Sequence, residues 1–442
     1  MNTAITIDLL GNLQQLPRHG WIRSEGRVTR VIGLTVESTG PRSSVGDLAW
    51  IEAGPQEARE RIPAEVVGFH ERSVILMPIE HAAGIRPGDR VIPAGAMRMA
   101  VGPELLGRVL DGLGRPIDGK PAPEHLDAHV ELDRPPPSPL ERTSISDPFH
   151  TGVRTIDGCI TCAKGQRVGI FAGSGVGKSV LMGSLAKHAE STVNVIALIG
   201  ERGREVRDFI EKNLGAEGMR KSVVVAVTSD QTPLMRRKGA STAMAIAEYF
   251  RDRGDDVLMM MDSVTRFAMA QREIGLAVGE PPTSRGYPPS VFGLMARLLE
   301  RPGTSRKGTI TAFFTVLVEG DDMNDPIADS VRSILDGHIV LSREIAETNH
   351  YPAIDVLKSV SRLMSEVIST EQKQLAAKIR ELMSVYRKAE DLVNVGAYVA
   401  GSNPKIDESL AKIDAINRFL RQAPHEITDA NTLLHLMKEA LA

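Results

Sequence analysis

The stretch Phe171–Val180, FAGSGVGKSV, constrains this chain more than any other. An apolar run, Arg167–Phe171, precedes it, and a helix-like segment, Val180–Lys187, follows. Strand, glycine-rich turn and helix together form the setting in which successive backbone N–H groups cradle a phosphate. Gly173, Gly175 and Gly177 permit backbone conformations that a side chain forbids. Residues Ala172, Gly173, Ser174, Gly175, Val176, Gly177, Lys178, Ser179 and Val180 are therefore the candidate nucleotide-binding residues. Lys178 is expected to reach the β- and γ-phosphates of the nucleotide, and the Ser179 hydroxyl to ligate Mg²⁺. The fit to G-x-x-x-x-G-K-[ST] fails only at its first position, where the small Ala172 stands. The alternative is a glycine turn that merely joins strand to helix.

With 442 residues the chain is long enough for about three domains. A net charge of −3 and an aromatic content of 4% leave neither a basic field nor stacking platforms for nucleic acid. No apolar run approaches the length of a membrane span, and the N-terminus has no basic region before its apolar residues. A cytoplasmic location is expected. The two cysteines, Cys159 and Cys162, lack the further ligands of a zinc site and come before a strand rather than opening a helix after one. They read as small buried residues.

Residues 1–20 have the spacing of a short amphipathic helix, a candidate partner-docking segment. Residues 21–97 hold short β-branched runs, Arg27–Val36, Leu48–Ala53, Ile62–Phe69, Ser73–Pro78 and Arg90–Ala94, separated by Gly, Pro and Asp. Such a block predicts a small barrel. Residues 98–150 read as a turn-rich connector, stiffened at Arg134–Pro139. From Thr151 to residue 364, strands at Val193–Ile199, Ser222–Val227, Val257–Met261 and Ile310–Val318 alternate with helical patterns such as Val206–Leu214 and Ser241–Arg251. That alternation predicts βαβ units and a parallel sheet. Residues 365–442 read as a helical domain, with helices over Thr370–Val395, Asp407–Arg421 and Asp429–Ala442.

The strand ends supply further candidates. Val257–Met261 ends in Asp262, an apolar strand closing on an acid beside a phosphate loop, suited to a Mg²⁺-bound water. Val193–Ile199 ends in GERGRE, where Glu201 either polarises the attacking water or belongs to a solvated charged turn. Tyr351 either stacks on adenine or packs in its loop. Arg362, at the end of the α/β stretch, is suited to a finger reaching across a subunit boundary or to a surface ion pair. Gly279–Pro289 reads as a long rigid loop free of helix, Thr304–Gly308 as a hairpin-like turn, and Glu319–Asp325 as a solvated acidic loop.

The motifs FAGSGVGKS (171–179), LIGERGREV (198–206), MMDSVTRFAMAQREIGLAVGEPP (260–282), GYPPSVF (286–292), ILDGHIVLSR (334–343) and HYPAIDVLKSVSR (350–362) extend over much of the chain. On these residues the sequence resembles the flagellar and type III secretion export ATPases, relatives of the catalytic subunits of rotary ATP synthases. The resemblance implies a RecA-like P-loop core between an N-terminal β-barrel and a C-terminal helical domain. It implies that Glu201 activates water, that Arg202 accompanies it, that Tyr351 packs on adenine and that Arg362 is the arginine finger. Both Glu201 and Arg362 lie in this one chain, so identical subunits would complete one another's sites, and the resemblance implies a homohexamer. It further implies a stalk-like regulatory protein at the N-terminus, a central stalk in the channel beside the 279–289 loop, export chaperones and substrates, and peripheral contact with a membrane export gate. Val31–Pro41, Ala64–Phe69 and Gly396–Ser402 resemble the flagellar branch more than the injectisome branch. Two other classes remain: a non-hydrolysing ring subunit, which Glu201 argues against, and a ring helicase, which the acidic, aromatic-poor composition argues against.

Overall fold

The computed structural model describes residues 24–54, 60–318, 320 and 322–442. The helix expected over residues 1–20 lies outside them. Two compact units divide the chain: the described residues up to Pro78 with Ala82–Ala96, and Ile79–His81 with Met97–Ala442.

The first unit is the expected barrel. Strands β1 (Gly26–Ile32), β2 (Thr35–Ser38), β3 (Leu48–Ala53), β4 (Glu60–His70), β5 (Ser73–Pro78) and β6 (Arg90–Gly95) close in the order β1-β2-β5-β4-β3-β6. Val28, Val36, Ile51, Val66, Leu76 and Val91 fill its interior. The run Arg27–Val36, read as one strand, is a hairpin. Gly33 has a φ of 56° and turns the chain there, which a residue with a β-carbon resists.

The second unit contains β7 (Arg98–Val101), β8 (Val109–Leu110), β9 (Ala128–Glu131), β10 (Pro148–Phe149), β11 (Cys162–Ala163), β12 (Arg167–Ala172), β13 (Val193–Glu201), β14 (Ser222–Thr228), β15 (Asp256–Asp262), β16 (Gly303–Thr304), β17 (Thr309–Leu317), β18 (Gly337–Leu341) and β19 (Val360–Ser361). The main sheet runs β19-β18-β12-β17-β15-β13-β14-β8, and β16 forms the expected hairpin with β17. From β18 to β8 every pair is parallel. Helices cover such a sheet on both faces, which is why β13, β14 and β15 are nearly continuous apolar runs. The stretch 98–150, read as a connector, carries four strands and supplies the sheet's edge strand β8.

Helix boundaries follow capping residues more than apolar periodicity. The helix expected over Ser241–Arg251 spans Pro233–Arg253, with Thr232 accepting a hydrogen bond from the Met235 N–H, Pro at its start and Gly254 in the left-handed region at its end. Its charged first turns hid its beginning. The segment Val206–Leu214 is not one α-helix: an α-turn over Gly203–Asp208 gives way to a π-helical turn over Phe209–Leu214. The loop 279–289 is not wholly free of helix, since Ser284–Gly286 forms a 3₁₀ turn and Pro289 begins the helix Pro289–Leu299.

The helices Thr370–Asn394, Pro404–Leu420 and Ala430–Leu441 match the C-terminal expectation within three residues at each end. They do not keep a core of their own. Ile379, Leu382, Ile416, Phe419, Leu433 and Met437 join one apolar cluster with Phe149, Ile156 and Cys159. Gly158 permits this: a β-carbon there would come within 3.0 Å of the Phe419 ring. Cys159 and Cys162 are buried and unbonded to each other, and burial pushes the Cys159 thiol up to about 12. Thiols held protonated are poor nucleophiles and ligands, in keeping with their reading as packing residues.

The segment 127–133 is held on the helix Pro233–Arg253 by polar contacts. Lys238 donates to Asp133 at 2.7 Å and the Tyr249 hydroxyl to Asp127 at 2.8 Å. Arg301 makes a bidentate pair with Glu248, 2.8 and 2.9 Å, and donates to the Leu132 carbonyl at 2.9 Å, with both charged side chains buried. Removing Arg301 leaves the buried Glu248 carboxylate with only Arg134, 3.7 Å away and partly exposed, as a cationic partner. Arg301→Ala is expected to destabilise the fold by about 3–5 kcal/mol, read from urea unfolding; a loss below about 1 kcal/mol would contradict this packing account.

Candidate active site

Strand β12 delivers the phosphate loop at its C-terminal end. Gly175 and Gly177 take φ of 81° and 91°, the left-handed region that favours glycine. The helix Lys178–His188 starts directly after Gly177 with no side-chain cap, so its first N–H groups remain available to an anion. Loop residues 172–175 and 177–180 border a cavity of about 550 Å³; Val176 is buried behind them.

The parallel register brings two acids to the same edge. Asp262 closes β15 and Glu201 closes β13. Lys178 Nζ lies 2.6 Å from Asp262 Oδ1 and 3.6 Å from Glu201 Oε1. The Thr315 hydroxyl donates to the same Asp262 oxygen at 2.7 Å. Burial alone would lower the Lys178 pKa, but Asp262 and Glu201 outweigh it and hold it above the ordinary value. Burial also pushes Glu201 up to about 7, with the Asp262 charge adding to the effect and Lys178 opposing it. Glu205 shares a hydrogen bond with Glu201 and is correspondingly lowered. Gly200, φ 72°, sits where a β-carbon would fall 2.8 Å from Arg266 Cβ, and the β13 ladder shifts register there. That bulge turns Glu201 towards the loop.

Tyr351 stands beside the phosphate loop. A β-carbon on Gly177 would come 3.4 Å from its ring. With Val176, Val180, Leu181 and Pro352 it lines a second, apolar cavity of about 310 Å³, which shares Gly177 and Val180 with the first. Arg202 also borders the larger cavity, but its side chain is 82% exposed and leans on Glu205 at 3.5 Å. Arg362 does not join the group. It follows β19, donates its N–H to the Asp336 carbonyl, and Asp336 in turn binds Arg167 at the start of β12. The phosphate loop leaves the opposite end of that strand, five residue steps or about 16 Å away.

Among the described residues no group of three or more His, Cys, Asp or Glu could hold a metal by itself. The oxygens near the loop are the Ser179 hydroxyl and the carboxylates of Asp262 and Glu201. That sparse all-oxygen set fits Mg²⁺, which takes one or two protein oxygens and completes its octahedron with phosphate and water.

Sequence reasoning missed three contributors. Arg266 borders the larger cavity, and its Nε is buried with no hydrogen-bond partner. Its position four residues after Asp262, one helical turn past the strand end, was the available signal. Glu205 was seen only as part of a charged turn. Gln422, Ala423 and Pro424, far along the chain, line the apolar cavity beside Tyr351; nothing local marks them.

Three family descriptions match the chain in order: the β-barrel domain of the ATP synthase α/β family over residues 28–95, its nucleotide-binding domain over 152–361, and the C-terminal domain of the type III secretion ATPase EscN over 368–439. The flagellum-specific ATP synthase of Bacillus subtilis strain 168 is 54% identical over 96% of each chain. The type 3 secretion system ATPase of Xanthomonas euvesicatoria is 50% identical over 94% of this chain and 93% of its own. The structure of the assembled ATPase EscN from enteropathogenic E. coli superposes with a TM-score of 0.89 at 44% identity, covering 94% of this chain and all of that one. EscN in complex with its central stalk EscO gives 0.87 at 43% identity over the same shares. Barrel, phosphate loop and helical C-terminal segment thus recur in one order and at high identity: this chain belongs to the ATP synthase α/β family and, within it, to the flagellar and type III secretion ATPases.

Proposed function

We propose that this chain hydrolyses ATP to ADP and phosphate in a homohexameric ring that energises flagellar protein export. The observation that carries the reading is the convergence of Lys178, Glu201 and Asp262 at the mouth of the phosphate loop. Lys178 pairs with Asp262 and lies within reach of Glu201. A triphosphate would compete for that ammonium, and Lys178's turn to the phosphates would free the Asp262 oxygen to hold Mg²⁺ and Glu201 to accept a proton. The loop N–H groups and Lys178 hold the β- and γ-phosphates. The Ser179 hydroxyl and the Asp262 carboxylate are the groups that would hold Mg²⁺, which offsets charge on the phosphates. Glu201, with a pKa near neutrality, is suited to take up a proton from the attacking water. Arg266, with its unpartnered buried Nε, supplies a second cation to the phosphate end of the cavity. Arg202, exposed beside Glu205, is proposed to face the boundary with a neighbouring subunit.

Arg362 supports the ring. It lies too far from its own phosphate loop to touch that site, yet it is exposed and lightly held, donating to the Arg332 carbonyl at 3.4 Å. A finger supplied in trans satisfies both facts. The assembled state of EscN and its complex with the central stalk EscO support an oligomer and a stalk partner, to which the proposal adds six subunits and a place for the stalk in the channel. A stalk-like regulator at the N-terminal segment, export chaperones and substrates, and peripheral contact with a membrane gate complete the proposed set of partners. No described helix is long and apolar enough to cross a membrane. The flagellar reading leads because most of the similar relatives are flagellum-specific, the Bacillus subtilis protein among them at 54% identity against 50% for the Xanthomonas type 3 secretion ATPase; a deletion strain that builds filaments normally would overturn it in favour of an injectisome.

Glu201→Gln is expected to lower turnover by about 10²–10⁴-fold while leaving ATP affinity within a few-fold. Equal turnover in the variant would remove Glu201 from the chemistry. The same substitution has a signature in stability. The folded protein holds the Glu201 proton up to about pH 7, whereas a carboxyl of ordinary pKa 4.5 has lost it. Stability of the nucleotide-free protein therefore falls as pH rises from 4.5 through 7, and Glu201→Gln removes that part of the slope. Urea titrations at several pH values read it directly; identical slopes would contradict the environment described. Hydrolysis per chain is expected to rise steeply with protein concentration as rings assemble, and a flat profile would contradict completion of the site by a neighbour.

A further inference from the structure

The apolar cavity beside Tyr351 has walls from five parts of the sequence: the turn at Gly152–Val153, the phosphate loop with the helix Lys178–His188, Leu341 at the end of β18, the loop at Tyr351–Ala353, and the segment that follows the helix Pro404–Leu420. Gln422 joins them. Its backbone N–H donates to the Tyr351 carbonyl at 2.9 Å. Its side-chain Nε2 donates to the Gly152 and Glu426 carbonyls, both at 2.8 Å. Its Oε1 accepts the Arg154 N–H at 2.7 Å. Both donor hydrogens of the amide are in use, and the opposite amide orientation would set oxygen against two carbonyls. The acceptor contact also fills a local need. Arg154 opens the helix Arg154–Cys159, whose preceding residue, Val153, has no side chain able to cap it. Gln422 caps it from 268 residues away.

Neighbouring contacts hold the same segment at both of its ends. Thr155 Oγ1 donates to the Leu420 carbonyl at 3.0 Å, Arg154 pairs with Glu426 at 3.1 Å, and His188, at the end of the phosphate-loop helix, bonds the Pro424 carbonyl at 3.0 Å. Gln422 is the member of this set that also binds Tyr351.

We propose that Gln422 is a positioning residue for the nucleotide base, clamping Tyr351, the 152–154 turn and the 421–426 segment into one rigid wall of the cavity. It touches the base's platform through Tyr351 and carries no phosphate contact. Base occupancy and the placement of the C-terminal helices are thereby linked through one residue, whose main-chain N–H holds Tyr351 and whose side-chain amide holds the 152–154 turn and Glu426. The proposal rests on the reading that ATP binds with its base beside Tyr351.

The test compares full-length wild type with Gln422→Ala and Gln422→Glu, using ADP, inorganic tripolyphosphate and, for wild type, pyrophosphate as ligands, each with Mg²⁺. Gln422→Glu keeps the acceptor for Arg154 but sets an oxygen against the Gly152 and Glu426 carbonyls; the main-chain bond to Tyr351 remains in both variants, and tripolyphosphate binding shows whether the phosphate site is still folded. Both variants are expected to bind ADP about tenfold more weakly and tripolyphosphate within about twofold of wild type. In turnover, the KM for ATP is expected to rise about tenfold while kcat changes less than about twofold. Unchanged ADP affinity in both variants would overturn the proposal. So would an equal loss for ADP and tripolyphosphate, which would mark Gln422 as a general support of the fold. If wild type bound Mg²⁺-pyrophosphate, the two phosphates of ADP without its nucleoside, as tightly as ADP, the nucleoside would contribute nothing and the reading of the Tyr351 cavity would fall, whatever the variants did.

Discussion

The contact between the Lys178 ammonium and the two carboxylates of Asp262 and Glu201 is what the rest of the molecule is arranged to produce. Three parallel strands must end at one edge for it to exist, and each must end in a particular way: β12 in a glycine turn, β15 in an aspartate, β13 in a glycine bulge followed by a glutamate. Charges so close in a half-buried site interact far more strongly than in water. A lysine between two acids is therefore both a restraint on the empty site and a group that a polyphosphate can capture. The raised Glu201 pKa follows from the same geometry, since burial and Asp262 outweigh the lysine's opposing influence.

Support for this edge reaches across the whole second unit. The helical C-terminal segment shares one apolar cluster with the nucleotide-binding sheet, through a short helix in which Gly158 admits the Phe419 ring. Its segment 421–426 meets Tyr351 and the end of the phosphate-loop helix. A movement of the C-terminal helices would therefore be felt first at the apolar cavity beside Tyr351, and through Gly177 at the phosphate loop. That is a mechanical route by which a contact on those helices bears on nucleotide binding without touching the phosphates.

Much of this was legible in the residues alone, where the signal is local. The glycine spacing of the loop, the acid closing an apolar strand and the apolar spacing of the C-terminal helices each report a physical need of their own few residues. The parallel strands were legible because burial on both faces demands continuous apolar runs. Legibility failed where the need is met from a distance. Nothing near Gln422 signals that it caps a helix 268 residues earlier. The start of the helix Pro233–Arg253 was hidden because Lys238, a charged residue by type, is buried against Asp133 of the connector. Gly33 could be seen, but not that its φ of 56° breaks one strand into two. Arg362 is the limiting case: its own chain holds it at the far end of β12 from the loop, so the residues alone left a finger and a surface ion pair both open.

That separation makes the division of labour between neighbouring subunits the central claim, and mixed rings test it most directly. Glu201→Gln chains retain the finger and lack the base; Arg362→Ala chains retain the base and lack the finger. Each alone is expected to be nearly inactive. In rings formed from equal amounts of both, roughly a quarter of the boundaries pair an intact Glu201 with an intact Arg362, so substantial hydrolysis should return on mixing. Activity in the mixture no higher than in either variant alone would contradict a site shared between subunits.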